Sequence, residues 1–446
     1  MRFNKLLWLL TVLIISGCSK NDTSSNLGGS NTNNSSSPVL NTSHPNILLI
    51  ISDDMGLDAT PGYSIGSSKP NMPHLQALMN SGVRFNNVWS NPVCTPTRAT
   101  LLTGRYGFRT NVLSVGDVLS PAETSIFDEF NDKAPDYSHA VIGKWHLSSN
   151  PTHPNSMGVD YFAGLLGGGV QSYNSWNLTE NGQTTNTTEY STTKFTDLAI
   201  EWVATQSEPW FLWLAYNAPH TPFHLPPANL HSQGNLPSDE ASIEATPLPY
   251  YLAMIEAMDS EIGRLLDSMT NEERDNTLII FIGDNGTPNQ VVQDYNSNRA
   301  KGSIYQGGVA VPMVVSGKNV TRMNATEETL INTTDLYATL ADIAGISLSE
   351  TGDSKSFVEV LTNSNSNGRE FIYTEKYNSQ TGGADYTIRN ATHKYLYFNN
   401  GNEALYNLSA NPLEFPNLLN ANQLPLSEAN AQAKATLISG LAEIRD

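Results

Sequence analysis

The sequence predicts an α/β fold: a mixed, mostly parallel sheet sandwiched by helices, with a small antiparallel α+β subdomain at the C-terminal end. Three observations predict it. Short apolar and β-branched runs alternate with helical patterns up to about residue 350, as expected when helices cover both faces of a parallel sheet. Beyond that point the pattern changes to short strands separated by polar turns. The chain has 446 residues, long enough for one large α/β core.

The strands predicted for the main body are Ile47 to Ser52, His139 to Gly143, Trp210 to Tyr216, Thr277 to Ile282 and Val311 to Ser316. The clearest helix is Tyr250 to Met269, where Leu252, Ile255, Ile262, Leu265, Leu266 and Met269 form an apolar stripe at helical spacing. That stripe is core packing. In the C-terminal part, Phe371 to Thr374, Tyr386 to Arg389, Tyr395 to Phe398 and Ala404 to Leu408 are predicted strands, and Ser427 is the predicted N-cap of a closing helix.

The first residues read as an address. Arg2 and Lys5 precede an apolar run from Leu6 to Ile15 that ends in Ile15-Ser16-Gly17-Cys18, the layout of a signal peptide. A run of about ten apolar residues is too short to cross a hydrocarbon core of about 30 Å. The segment resembles a bacterial lipoprotein signal. That resemblance implies that Cys18 is lipidated and that the exported chain is anchored to the membrane by lipid alone. Ser19 then implies the outer membrane, at its periplasmic face or the cell surface. Ser19 to Asn41 is rich in Ser, Asn, Thr and Gly with almost nothing apolar, which reads as a flexible tether. The predicted organisation is a signal peptide over 1–17, a tether with lipidated Cys18 over 18–43, a main domain over 44–350 and the α+β subdomain over 351–446.

Composition narrows the function. Only 15% of residues are charged, and the net charge is −19, so nucleic acid is excluded as a partner: phosphate binding needs clustered basic residues. Cys18 and Cys94 are the only cysteines. With Cys18 spent on lipid, Cys94 has no partner for a disulfide in an oxidising compartment. A buried apolar cysteine is the bland account; a catalytic residue is the sharp one.

Four predicted strands end in chemically capable residues: Asp53 and Asp54, then Lys144 and His146, then His220, then Asp284 and Asn285. In an open α/β sheet, ligands bind outside the carboxyl ends of the strands. Asp53, Asp54, Asp284 and Asn285 offer oxygen ligands only, the set preferred by hard cations such as calcium or magnesium. An Asp-Asp pair alone reads as a turn or cap; with Asp-Asn-Gly at another strand end, the metal reading overtakes it. Cys94-Thr95-Pro96-Thr97-Arg98 opens a helix with Pro96 in its first turn. Cys94 therefore lies where free N–H groups favour an anion, with Arg98 one turn on.

The run C-T-P-T-R-A-T-L-L-T-G-R-Y from Cys94 resembles the signature of the type I sulfatases of the alkaline phosphatase superfamily. The likeness extends, in family order, through I-L-L-I-I-S-D-D, G-K-W-H-L, A-P-H-T-P-F, G-D-N-G and K-G-S-I-Y-Q-G-G to L-Y-N-L-S-A-N-P-L-E-F-P-N-L. The resemblance implies an alkaline-phosphatase-like sheet and hydrolysis of sulfate esters. It implies that Cys94 is oxidised by a maturation enzyme to formylglycine, whose hydrate attacks sulfur with one hydroxyl and expels sulfate with the other. It further implies that Asp53, Asp54, Asp284, Asn285 and modified Cys94 bind calcium, with magnesium the lesser candidate. Arg98 and Lys144 would stabilise the alkoxide and sulfate, and His146 would take the proton that releases it. His220 and Lys301 would serve the leaving-group side, His220 as the better general acid. Outside the motifs Lys301 would read as a solvated lysine. One position departs: the family more often has Ser or Ala where Thr97 stands. His74, His139, His231 and His393 lack motif context, and Arg105 reads as a brace for the Cys94 helix.

The expected substrate is a sulfated carbohydrate, such as a marine algal polysaccharide or its oligosaccharides. A tethered enzyme facing outward meets large nutrients first, and Gly164 to Thr193 reads as a loop offering Tyr173 and Trp176 as stacking faces. Two other readings compete: a phosphonate or phosphate ester hydrolase on the same geometry, and a non-catalytic surface binding lipoprotein. The number of chemically capable residues from Asp53 to Lys301 argues against the latter.

Overall fold

The strand Asn46–Ser52 is buried along its whole length. Ile47, Leu49 and Ile51 enter one apolar cluster while Leu48 and Ile50 enter another, so both faces of the strand are covered. That is the condition of a parallel sheet between helical layers. Helices Pro73–Asn80, Ser191–Val203 and Pro247–Ser268 pack on one face. Helices Cys94–Thr103, Ile126–Lys133 and Asp335–Ile343 pack on the other. The structure is a computed structural model that describes residues 44–207, 209–364 and 368–446. The predicted signal peptide, Cys18 and the tether lie outside the described residues.

Among the described residues, ten strands form the main sheet. In spatial order they are Ala325–Glu327, Gly82–Phe85, Met313–Gly317, Thr277–Gly283, Asn46–Ser52, Trp210–Ala215, Ser138–Lys144, Tyr161–Leu165, Trp176–Glu180 and Gln183–Thr187. The strands from Thr277–Gly283 through Tyr161–Leu165 all run parallel. Ser52 lies opposite Gly283, and Ala215 lies between Ile51 and Gly143. All four polar strand ends therefore emerge at one edge, level with one another. Gly143 is required here: a Cβ would come within 1.9 Å of the Ala215 carbonyl oxygen, and its φ of +106° is left-handed.

Two expectations change. The strand predicted from Val311 begins at Met313 and pairs antiparallel to Thr277–Gly283, so its C-terminal end points away from the site edge. Gly164 to Thr193 is not a loop: from Trp176 to Thr187 it is an antiparallel hairpin that ends the sheet. Its turn, Asn181-Gly182, has φ of +41° and +85°, the positive values that Asn-Gly supplies in two-residue hairpins. Tyr173 and Trp176 are correspondingly buried. The Tyr173 hydroxyl donates to the Asn217 and His220 carbonyls, each at 2.7 Å, and Trp176 Nε1 donates to the Glu189 carbonyl at 2.9 Å. Neither ring offers a face to a sugar.

The predicted long helix spans Pro247–Ser268, with Leu252, Ile255, Ile262, Leu265 and Leu266 in the core. The four C-terminal strands form an antiparallel sheet in sequence order, Ile372–Asn378, Gly383–Arg389, His393–Tyr397 and Glu403–Asn407. Helix Glu428–Arg445 closes it, with the Ser427 side chain accepting from Asn430 N–H as N-cap.

The motif Leu405 to Leu418 ties this sheet to the main one. Its Glu414 is buried, with a left-handed φ of +60°, and its carboxylate accepts from Gln306 N–H at 2.8 Å. Arg299 donates to the Glu414 carbonyl at 2.9 Å. Buried Lys394 sits 2.7 Å from the same carboxylate and 4.7 Å from the centre of the Trp89 ring. Burial pushes the Lys394 ammonium down to about 8. Residues 299 to 306, which include Lys301, are thus held at both ends.

Candidate active site

Cys94 is the first residue of helix Cys94–Thr103. No side chain caps the helix there, so its free N–H groups and dipole favour an anion beside Cys94. The departing residue, Thr97, is buried, and its hydroxyl accepts from Asn91 N–H at 3.1 Å and donates to the Val93 carbonyl at 3.2 Å. It fastens the first turn to the segment before it. Cys94 is 2% exposed, and burial raises the pKa of its thiol. An unmodified Cys94 is therefore a protonated thiol at neutral pH, a poor nucleophile.

Around Cys94 the sheet edge delivers every strand-end residue named from the sequence. One ligand atom from each of Cys94, Asp53 and Asp284 lies within 4.8 Å of the others, and the same holds for Asp53, Asp54 and His220. The carboxylates are each matched with a cation. Lys144 pairs with Asp53. Arg98 Nη2 donates to Asp284 Oδ2 at 2.9 Å. Lys301 Nζ lies 2.6 Å from Asp54 Oδ2. Arg98 also donates through Nη1 to the Lys144 carbonyl at 2.7 Å, which links the helix to the adjacent strand end. The carboxylate charge is thus partly met by side chains.

Polar atoms remain without partners. Asp53 Oδ1, Asn285 Oδ1 and Arg98 Nε are buried and make no hydrogen bond. Such groups cost about 1–3 kcal/mol each when left unmade, and in a native site they ask for an unseen ion or ligand. Two of them are hard oxygens on predicted metal ligands. Asn285 Nδ2 donates to Asp54 Oδ1 at 2.8 Å, which turns its oxygen the other way. The donor set therefore fits an oxygen-coordinated cation such as calcium or magnesium.

The electrostatics separate the two aspartates. Burial, followed by the Asp284 charge, raises the Asp53 carboxyl well above its usual range. Burial would do the same to Asp54, but Lys301, His220 and Lys144 outweigh it and hold Asp54 below the usual range. A bound divalent cation would favour ionised Asp53.

Both histidines are neutral at pH 7. Burial, then the charges of Lys144 and Arg98, pushes His146 down to about 2. Its Nδ1 lies 3.2 Å from Cys94 Sγ, and its Nε2 3.2 Å from the Thr95 hydroxyl. Burial also lowers His220 to about 4, with Lys144 and Lys301 adding to the effect and Asp54 opposing it. His220 Nδ1 lies 2.7 Å from the Thr221 carbonyl. A carbonyl only accepts, so this nitrogen carries the hydrogen and leaves Nε2 for the site. Lys301 is held charged above its usual range: burial opposes, but Asp54 and Asp53 prevail.

Sequence reasoning missed three contributors. Thr95 touches His146 and also accepts from Gly116 N–H at 3.4 Å; its place next to Cys94 was the available signal. Gly168 and Gly169 lie on the histidines: a Cβ on Gly168 would stand 2.6 Å from the His146 ring, and one on Gly169 3.0 Å from the His220 ring. Two bland readings fit. His139 hydrogen-bonds Asn131 at 3.0 Å and His393 hydrogen-bonds Asn430 at 3.1 Å, both away from the site. The Arg105 side chain pairs with Glu123, and its backbone N–H donates to the Thr103 hydroxyl at the end of the Cys94 helix at 3.3 Å.

Comparisons with known proteins agree with this geometry. The family model described as Sulfatase matches residues 45–346, and that for the C-terminal part of N-sulphoglucosamine sulphohydrolase matches residues 299–440. The chain is 30% identical over 363 residues to the sulfatase YdeN of Escherichia coli K12, covering 68% of this chain and 63% of that relative. It is 26% identical over 409 residues to the arylsulfatase of Klebsiella aerogenes, covering 68% of this chain and 87% of that one. The crystal structure of Ps i-CgsB in complex with k-i-k-neocarrahexaose superposes with a TM-score of 0.73 at 25% identity, covering 90% of this chain and 92% of that one. The chain thus spans slightly under two thirds of the length of the Escherichia coli relative.

Proposed function

The chain belongs to the sulfatase family, and on that premise we propose that it hydrolyses the sulfate esters of a carbohydrate, using Cys94 matured to formylglycine and a bound calcium ion. The observation that carries the reading is the convergence of Cys94, Asp53 and Asp284 within 4.8 Å at a helix N-terminus, beside His146, Lys144 and Arg98. The overall reaction takes water and R–O–SO3⁻ to R–OH, sulfate and a proton.

Asp53, Asp54, Asp284, Asn285 and the modified Cys94 would hold the metal, which when bound withdraws charge from the sulfate oxygens and from the nucleophile. Formylglycine, once formed, supplies a hydroxyl-bearing carbon in place of a protonated thiol. The remaining work falls to side chains of the chain itself. His146, neutral and 3.2 Å from Cys94 Sγ, is placed to take a proton from the group on residue 94. Arg98 Nε, buried and unpartnered, is available to an oxygen that gains charge. Lys144 keeps donors beyond the one it gives Asp53. On the leaving side, Lys301 carries a proton at pH 7, and His220 Nε2 gains one more readily as an anionic substrate arrives. Either can deliver it to the departing alcohol oxygen.

The carbohydrate assignment draws on the neocarrahexaose held by the related crystal structure. The lipid anchor at Cys18 and an outer-membrane location belong to the same reading, since an anchored enzyme meets polymers outside the cell. The test is sulfate release from a panel of sulfated algal and animal glycans by protein made in a host with a maturation system, with an aryl sulfate, aryl phosphate and phosphonate as controls. The expected result is release from at least one glycan, with the phosphorus esters poorer than the aryl sulfate. Efficient phosphonate cleavage with no sulfate released would overturn the proposal.

A further inference from the structure

A cavity of about 560 Å³ adjoins the site on the hairpin side. Gly167 and Gly169 form part of its wall, and the backbone of the same glycine run lies on the His146 and His220 rings. One glycine run therefore borders both the cavity and the two histidines. Its volume is in the range of a small-ligand pocket, enough for a sugar ring.

The lining has a specific chemistry. Among the described residues, none that line the cavity is charged. The Gln171 and Asn177 side chains face it from exposed positions. The Asn186 amide lies beside them, with its nitrogen donating to the Trp176 carbonyl at 3.2 Å and its oxygen open. Primary amides both donate and accept, as sugar hydroxyls do. A sulfate in this cavity would meet no cation among the lining residues. Lys144, Lys301 and Arg98 do not line the cavity and are each paired with a carboxylate of the site.

We infer that this cavity is a subsite for an uncharged sugar unit, the neighbour of the sulfated one, recognised through its hydroxyls by Gln171, Asn177 and Asn186. The inference rests on the carbohydrate reading above and adds a selectivity to it: the unit next to the reacting ester carries no sulfate of its own. Recognition is by hydrogen bonding, since Tyr173 and Trp176 are buried.

The test uses the full, matured chain and the sulfated oligosaccharide that the panel identifies, with 4-nitrophenyl sulfate as the small comparison. The readout is the ratio of kcat/KM on the oligosaccharide to kcat/KM on 4-nitrophenyl sulfate. The double variant Gln171→Ala with Asn177→Ala should lower that ratio about tenfold, the effect of roughly one to two lost hydrogen bonds. Asn177→Lys should shift preference toward an oligosaccharide whose neighbouring unit is also sulfated, by about fivefold or more. Both positions are exposed, and melting curves check that the variants fold. A ratio within twofold of wild type in both variants overturns the subsite while leaving the carbohydrate reading standing. Wild-type turnover of 4-nitrophenyl sulfate with none of any oligosaccharide overturns both.

Discussion

Cys94 Sγ lies 3.2 Å from Nδ1 of His146, yet the pair is not a thiolate and an imidazolium. Burial raises the thiol and lowers the imidazole to about 2, so the proton stays on sulfur at neutral pH. In cysteine hydrolases the pair works because the proton moves. The proposed formylglycine at position 94 would give this contact a use, with His146 as acceptor for its proton.

Cys94→Ala should therefore abolish sulfate release, by roughly 10⁴-fold or more for loss of a nucleophile, while the melting temperature stays near wild type because little volume is lost. Protein made without a maturation system should be equally inactive and keep its thiol by peptide mass. Near wild-type turnover by either sample would end the formylglycine assignment.

The unpartnered Asp53 Oδ1 and Asn285 Oδ1 lead to a second expectation. Exhaustive chelation should lower the melting temperature, and added calcium should restore it more effectively than magnesium. Binding to the native state alone stabilises by about 2.7 kcal/mol at a hundredfold excess over Kd. Because Lys144, Arg98 and Lys301 already face the carboxylates, the metal-free chain should stay folded. Global unfolding on chelation would show that these ion pairs do not substitute for the metal.

Arg98 and Asp284 are an ion pair with side chains 1% and 0% exposed. Removing one member of such a pair costs about 3–5 kcal/mol, most of it from the stranded charge. Arg98→Met should show that loss in metal-free buffer and a smaller one in calcium, where the cation takes over the charge of Asp284. Chemical denaturation with and without calcium measures both. Equal losses in the two buffers would mean that calcium does not bind at Asp284.

Much of this site was legible because apolar runs ending in Asp, Lys or His announce strands that meet at one edge. Parallel neighbours then put Asp53, Lys144, His220 and Asp284 together without further information. The pairing of each carboxylate with its own cation was not legible, since Arg98 comes from a helix, Lys301 from a loop, and Lys144 from a strand separated from that of Asp53 by Trp210–Ala215. The hairpin was missed for a different reason. Trp176–Glu180 and Gln183–Thr187 form a polar edge with little apolar signal, although Asn181-Gly182 between them was a turn signal in plain view. Polar context also hid the burial of Tyr173 and Trp176. The motif around Glu414 was visible as a resemblance, but its part in holding the Lys301 segment required the contact with Gln306.

That contact carries a prediction. Glu414→Ala would strand buried Lys394 and free Gln306 N–H, and should destabilise by about 3–5 kcal/mol. Lys394→Met combined with Glu414→Leu removes both charges and should recover part of the stability but not the fixed position of the Lys301 segment. The double variant should then be folded with a reduced kcat. Full activity in it would show that Lys301 is placed by its own loop.

The net charge of −19 sets an opposing condition on a polyanionic substrate. Long-range repulsion acts over the Debye length, about 10 Å at 0.1 M salt and about 3 Å at 1 M. The contacts that would seize a sulfate act at hydrogen-bond distance, inside either screening length. Raising salt from about 0.01 M to about 0.3 M should therefore remove the repulsion while leaving most of the local attraction. kcat/KM on a sulfated polysaccharide should rise several-fold over this range, through the association step. On 4-nitrophenyl sulfate, with one charge, the rise should be much smaller. A steady fall with salt on the polymer would mean that a basic surface captures it, and would overturn the argument from net charge. Equal salt dependence for polymer and aryl ester would place the effect in the chemistry of the site and not in the approach of the chain.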